Sequence, residues 1–280
     1  MTRRPAAKKS LGQNFLVDRY VPRRIVSRAD VSADDVVVEV GAGRGVLTRE
    51  LAARAGRVIA VEIDEDLADS LAREFADRQN VEVVVADARE MDLDSLVPPG
   101  TRYKLLGNLP YYAATPIVRR FLGVVHKPEL MVVMVQREVA RNMVAVPGDM
   151  GILSVAVQLY GRPRMLFPVP PRAFRPMPKV TSAVVRIDVY EKPAVDFDSE
   201  DQFFRLVKAG FSAPRKQVHN CLKLGLDLAA EEVAEMLDKA GIDPMRRPGT
   251  LSMPEWGRLY SVFARLVTPD EVVAPLEPQC

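Results

Sequence analysis

A chain of 280 residues exceeds what one hydrophobic core usually serves, and with 48% hydrophobic and 27% charged residues it is excluded from the disordered and fibrous classes. A net charge of +2 excludes a uniformly basic polyanion binder, and two cysteines are too few for a disulfide framework. The longest apolar runs, such as residues 130–135, fall well short of the roughly 20 residues that a membrane-spanning helix needs.

The N-terminus carries Arg3, Arg4, Lys8 and Lys9 with no apolar stretch behind them, so it is expected not to be a secretory signal and the protein is expected in the cytoplasm. Residues 20–29 are predicted as a helix with Pro22 in its first turn. Residues 36–40, apolar except for Glu39, read as a buried parallel strand running into a glycine cluster. Val46, Leu47, Leu51 and Ala52 have helical spacing, and Gly56 stops that helix before a strand at 57–62. The alternation continues with a helix at 65–76, strands at 81–85 and 103–106, a helix near 116–122 and a strand at 130–136. Strands at 164–167 and 183–190 are expected to flank a proline-rich link over 168–178.

Beyond Pro193 only helical periods remain: Phe203, Phe204 and Val207; Val218, Leu222 and Leu224; Val233, Leu237 and Ala240. The expected organisation is an α/β domain with a mostly parallel sheet over residues 1–192 and a small all-α domain over 193–280.

Charge is segregated. Residues 1–28 hold eight Lys/Arg against Asp18, residues 162–190 hold six against Asp188, and residues 205–223 hold five with no acid. Residues 61–99 hold twelve acids against three bases. A solvated helix face explains any one cluster, but three basic ones together point to nucleic acid. Cys280 and His126 stand alone in sequence and His219 has only Cys221 near it, too few ligands for a metal, so neither a metal site nor histidine catalysis is expected.

The strand at 36–40 ends in Gly41, Ala42, Gly43, Arg44 and Gly45, and Glu62 ends the next strand. In a doubly wound sheet ligands lie beyond the carboxyl ends of the strands, where glycines admit close approach and an acid can accept ribose hydroxyls. A dinucleotide loop would place its third glycine at position 46, which is Val. The spacing instead resembles the first motif of Rossmann-like methyltransferases, which implies S-adenosyl-L-methionine as cofactor. Asp87, directly after the strand at 81–85, can accept an adenine amino group.

After the strand at 103–106 come Asn108, Leu109, Pro110 and Tyr111. The exocyclic nitrogen of adenine is a weak nucleophile because its lone pair is delocalised into the ring. The Asn108 side-chain oxygen and the Leu109 carbonyl can each accept one of its hydrogens, Pro110 stiffens the turn, and Tyr111 can stack on the base. Taken alone, Asn and Pro are also ordinary turn residues.

Together these elements resemble the ribosomal RNA adenine dimethyltransferases, most nearly their bacterial small-subunit branch. The resemblance runs from about Lys9 to Leu266 and rests on Leu11 to Leu16, the glycine loop, Gly107 to Tyr111, and Phe174 to Val180 leading into Ser182 to Arg186. It implies that Asn14, Leu16 and Gly43 contact the cofactor, with Gly41 at its methionine part, Glu62 at the ribose, Asp87 at the adenine and Asn108 beside the transferred methyl. It also implies that Phe174 is a second aromatic beside the target base, whereas Gln13 takes no role in this reading. Tyr112 departs from the family, where many relatives carry a small polar residue, and is expected to narrow the pocket or alter how a monomethylated adenine turns for a second transfer.

The implied substrate is a pair of adjacent adenines in the last helix of small-subunit (16S) rRNA, met in a pre-assembled 30S particle during ribosome biogenesis by a monomeric enzyme. Arg205, Lys208, Arg215 and Lys216 would grip flanking phosphates. Two alternatives stay open: a large-subunit (23S) methyltransferase of the macrolide-resistance type, and a non-catalytic RNA-binding assembly or transcription factor on the same scaffold; a nicotinamide-dependent dehydrogenase is disfavoured by Val46 and by the absence of a plausible proton donor.

Overall fold

The structure, a computed structural model, describes Lys8 and residues 12–266. Arg3, Arg4, Lys9, Leu11 and Cys280 lie outside the described residues. The chain divides into two units, one of residues 1–144 and 156–193 and the other of residues 145–155 and 194–280.

In the first unit the elements run β1 (Phe15–Leu16), α1 (Tyr20–Arg28), β2 (Val36–Val40), α2 (Val46–Ala52), β3 (Arg57–Glu62), α3 (Glu65–Glu74) and β4 (Val81–Val85). They continue with β5 (Tyr103–Asn108), α4 (Ala114–Gly123), β6 (Leu130–Gln136), α5 (Arg137–Met143), α6 (Ile152–Gln158, whose first four residues belong to the other unit), β7 (Gly161–Val169), β8 (Phe174–Arg175) and β9 (Ser182–Val189). Seven strands form one sheet in the order β4-β3-β2-β5-β6-β9-β7, parallel from β4 to β6 and antiparallel at β9 and β7. β2 sits inside this sheet, which is why its sequence is apolar on both faces. Val21, Ile25 and Val26 of α1 and Leu47 and Leu51 of α2 share one core with Val37, Leu106 and Val132 of the sheet.

Three departures from the sequence reading have local causes. β5 extends to Asn108 because Gly107 pairs with Val40 and Val133, and Asn108 with Met134, although neither residue favours strands. A Cβ at Gly107 would lie 2.4 Å from the Val40 carbonyl, so only glycine admits this approach. β7 begins at Gly161 and ends at Val169, taking in Pro163 and Pro168, which an edge strand tolerates because the missing N–H breaks no ladder on its open side. α5 buries only Ala140 and Met143 and α6 is apolar nearly all round, so neither shows an amphipathic period.

The second unit holds α7 (Glu200–Gly210), α8 (Val218–Leu226), α9 (Ala230–Lys239) and α10 (Met253–Leu266). Ser199 caps α7 through the Gln202 N–H, and Phe211 stacks on Trp256. The buried face of α8 is Val218, Cys221, Leu222 and Leu226, while Leu224, expected inward, is exposed. Residues 145–155 join this unit, with Gly148 and Met150 donating their N–H groups to the Gly249 carbonyl. A single boundary at 192/193 does not contain that excursion. Among the described residues no helix is long and apolar enough to cross a membrane, and no group of His, Cys, Asp or Glu could hold a metal ion.

Candidate active site

From β2 the chain steps outward through β3 to β4, then crosses back to lay β5 on the other side of β2. The carboxyl ends of β2 and β5 therefore flank a topological switch point, where open α/β sheets leave a crevice. The loops after β2, β3, β4 and β5 meet there around a cleft with about 1090 Å³ of empty space open to solvent, of which residues 12–16 form part of the wall.

After β2 the backbone turns sharply, and the N–H groups of Gly41 and Ala42 return to the Val61 carbonyl at 2.9 and 3.2 Å. Gly41 has φ +75°, and a Cβ there would come within 3.1 Å of the Asn108 carbonyl oxygen. The missing side chain keeps this loop against the end of β5. Glu62, almost wholly buried, accepts the Gly43 N–H on Oε2 at 2.8 Å and the Asp64 N–H on Oε1 at 3.0 Å. Burial raises its carboxyl above the usual range. One N–H per oxygen leaves lone pairs for two hydroxyl donors.

Glu39 also lines the cleft, and the sequence reading treated it only as a break in an apolar run. It is 1% exposed, and its Oε2 has no partner among the described residues. Burial, reinforced by the Glu62 carboxylate and opposed by Thr48, pushes its carboxyl up to about 7. Between the ordinary value of 4.5 and about 7 the folded chain keeps this proton while the unfolded chain releases it. Stability therefore falls as pH rises through that window. Relative to Glu39→Gln, the wild type is expected to lose on the order of 3 kcal/mol between about pH 5 and pH 8. Urea denaturation of both proteins at the two pH values measures this, and identical pH slopes would remove Glu39 as the cause.

Asp87 follows β4 and lines the cleft beside Arg89. The guanidinium holds both carboxylate oxygens, Nε at 3.0 Å from each and Nη2 at 2.6 Å from Oδ2, and keeps the acid below its usual range. The same guanidinium lies 5.8 Å from the ring of half-exposed Tyr112. That ring packs near Gly12, where a Cβ would be 3.4 Å away. Tyr112 thus lies between the turn after β5 and the N-terminal segment.

Asn108 ends β5 and donates its Nδ2 to the Asn14 carbonyl at 3.3 Å, which leaves Oδ1 as an acceptor. Leu109 N–H is tied to the Met134 carbonyl at 3.1 Å, and the Pro110 carbonyl accepts the Ala113 N–H at 3.0 Å, so the turn is braced at both ends. Tyr111, partly buried, shares a 2.7 Å hydrogen bond between its hydroxyl and the buried Ser182 hydroxyl at the start of β9. This restrains the ring. Ser182 belonged to the family resemblance without a role, and nothing short of the fold brings it to Tyr111.

Asn14 and Leu16 line the same cleft as the glycine loop, Glu62, Asp87 and the turn. Phe174 does not. It is 0% exposed, in the core beside Leu16, with which it pairs across β1 and β8. A ring without free surface cannot stack on a base, so the expected sandwich with Tyr111 is corrected: in this structure Phe174 anchors the N-terminal segment. Gln13, left without a role, donates Nε2 to Asp64 at 2.9 Å.

Of the second basic cluster, Arg164 and Arg186 are engaged by Asp188, whereas Arg162, Arg172, Arg175 and Lys179 are exposed. In the other unit Arg205, Lys208, Arg215, Lys216 and Lys223 are exposed on and between α7 and α8.

The family model described as ribosomal RNA adenine dimethylase matches residues 4–265. A ribosomal RNA small subunit methyltransferase A from Dehalococcoides mccartyi is 44% identical over 258 residues, 92% of this chain and 89% of that protein. The protein of the same name from Alkaliphilus metalliredigens is 45% identical over 262 residues, 91% of each. Among solved structures, the 23S rRNA methyltransferase ErmE superposes with a TM-score of 0.71 at 29% identity, over 90% of this chain and 100% of that one. A dimethyladenosine transferase from Plasmodium falciparum superposes with a TM-score of 0.78 at 23% identity, over 90% and 98%, a likeness of fold. With the model matched almost end to end, the chain belongs to the ribosomal RNA adenine dimethylase family.

Proposed function

We propose that this protein, acting as a monomer in the cytoplasm, dimethylates N6 of two adjacent adenines near the 3′ end of small-subunit (16S) rRNA, using S-adenosylmethionine. The observation that carries this reading is the meeting of Gly41, Glu62, Asp87 and the Asn108–Tyr111 turn in one cleft. The donor set fits the cofactor: a glycine cradle a Cβ would fill, a buried carboxylate with free lone pairs for a diol, and a second carboxylate for an amino group. Asn14 and Leu16 would complete its enclosure. When bound, the cofactor supplies an electrophilic methyl group.

The chain's own part is to hold the amine in place. Asn108 Oδ1 and the Leu109 carbonyl accept the two N–H bonds of the target adenine, which draws its nitrogen toward a pyramidal shape and frees the lone pair. Tyr111, restrained by Ser182, offers a ring for stacking, worth about 1–3 kcal/mol per base. Orientation of this kind supplies much of the rate in a displacement between two held groups. A loop adenine is cheap to unstack, which favours a hairpin substrate. The exposed Arg205, Lys208, Arg215 and Lys216 suit flanking phosphates of a pre-assembled 30S particle.

The likeness to a 23S rRNA methyltransferase at 29% identity keeps a large-subunit reading in view, but relatives named for the small subunit stand at 44–45%. The test is to offer unmethylated small and large subunits separately with labelled S-adenosylmethionine and to map the label by mass spectrometry. Two methyls on each of two neighbouring small-subunit adenines is the expected result. Label confined to the large subunit overturns the assignment, and no label on either supports a binding-only protein.

A further inference from the structure

Asp64 lies two residues beyond Glu62, and its side chain is wholly buried. Part of its bonding serves its own helix, since Oδ1 accepts the Asp66 N–H at 3.2 Å and caps α3. The rest serves the N-terminal segment. Oδ1 also takes the Lys8 ammonium at 2.8 Å, and Oδ2 takes Gln13 Nε2 at 2.9 Å. The ring closes where the Lys8 N–H donates to Gln13 Oε1 at 2.8 Å. On its other side, the Asp64 N–H donates to Glu62. One residue past Gln13, the Asn14 carbonyl accepts the Asn108 amide.

We infer that Gln13 and Asp64 are positioning residues for methyl transfer, a clasp that holds residues 12–16 against the cofactor cleft and, through Asn14, sets the Asn108 amide. The inference rests on the S-adenosylmethionine site proposed above. A helix cap alone does not explain the aspartate, since serine caps as well. What a carboxylate adds is simultaneous acceptance of an ammonium and an amide, from a buried side chain to a Lys8 that stays partly exposed, and charge-assisted hydrogen bonds of this kind are short and strong. Because residues 12–16 wall the cleft, a bound cofactor is released only as fast as they lift. Because Asn14 rides on the same segment, an open clasp leaves Asn108 free to rotate.

Three variants separate the clasp from the cap. Asp64→Ser keeps the cap but cannot reach Gln13, Gln13→Ala removes both the bond to Asp64 and the one from the Lys8 N–H, and Gln13→Glu sets a like charge against Asp64. S-adenosylmethionine affinity is read by calorimetry, its release by stopped flow, and the segment by trypsin cleavage after Lys8 with and without the cofactor. Asp64→Ser, which gives up the carboxylate's bonds to both Lys8 and Gln13, is expected to weaken affinity about tenfold or more through faster release, since one charge-assisted hydrogen bond alone is worth about that factor. Gln13→Glu should be worse than Gln13→Ala, the cofactor KM should rise with kcat falling, and the KM for small subunits should hold. Both Asp64→Ser and Gln13→Glu should also be cut faster than wild type without any cofactor. If wild type fails to bind S-adenosylmethionine, the cofactor reading falls while the ligand-free cleavage still tests the clasp. Cleavage and affinity unchanged in all the variants that fold overturn the inference.

Discussion

Asn108→Ala is expected to slow methyl transfer by about 10²- to 10³-fold, the usual cost of removing one preorganised polar group from a reacting centre, while S-adenosylmethionine still binds to within about threefold. The side chain has two separable jobs. Its nitrogen bonds the Asn14 carbonyl, and its oxygen is left as an acceptor on a residue that lines the cleft. Alanine removes both, but the first loss leaves only one carbonyl short of a partner, worth about 1 kcal/mol of stability. The second leaves the target amine with the Leu109 carbonyl alone, so the nitrogen stays planar and its lone pair stays in the ring. Asn108→Asp divides the two: it restores the acceptor, but its carboxylate cannot donate to Asn14 and is pushed from that carbonyl. Its rate should lie between wild type and alanine. Single-turnover transfer to unmethylated small subunits, set beside a cofactor titration, measures both quantities. An alanine variant that keeps a tenth or more of the wild-type rate would show that the turn does not orient the amine.

What the sequence disclosed of this site follows from how each residue is placed. Glu62 and Asp87 are legible because each stands where an apolar run stops, and in a parallel sheet those stops all fall on one edge. Asn108 is legible as chemistry but misplaced by two residues of strand, since the pairing of Gly107 with Val40 overrides what glycine and asparagine prefer locally. Glu39 was open to discovery, because an acid inside an all-apolar buried strand must be either paired or perturbed. The clasp was not: Gln13 and Asp64 are 51 residues apart and no local period links them. Phe174 shows the opposite failure. An aromatic within a family motif reads alike whether it faces a base or a core, and only its pairing with Leu16 decides which. In the helical unit, Cys221 and Leu222 with Val218 and Leu226 make the buried stripe of α8, whereas the reading by hydrophobicity chose exposed Leu224 over the cysteine.

Glu62→Gln should lower S-adenosylmethionine affinity about a hundredfold, by removing the charge from the bonds to two ribose hydroxyls, and should barely move the melting temperature. The substitution preserves volume, so the cause lies in hydrogen-bond polarity. Both carboxylate oxygens already accept a backbone N–H, from Gly43 and from Asp64. An amide has one oxygen, so its NH₂ must face one of those donors, and either the glycine loop or the turn into α3 has to give way. The unmet donor costs about 1–3 kcal/mol. Against this, burial already penalises the Glu62 charge, and a neutral amide escapes that penalty. The two effects oppose each other in the free protein, and only the loss remains when a diol must be bound. Equilibrium titration and thermal melting of the same preparation separate them; an affinity within about threefold of wild type would remove Glu62 from the ribose. Since the Asp64 N–H is one of the two donors, an amide turned toward it would also disturb the clasp, and ligand-free trypsin cleavage after Lys8 should then quicken. If affinity falls without that quickening, the amide has turned toward Gly43, and the damage lies in the glycine loop.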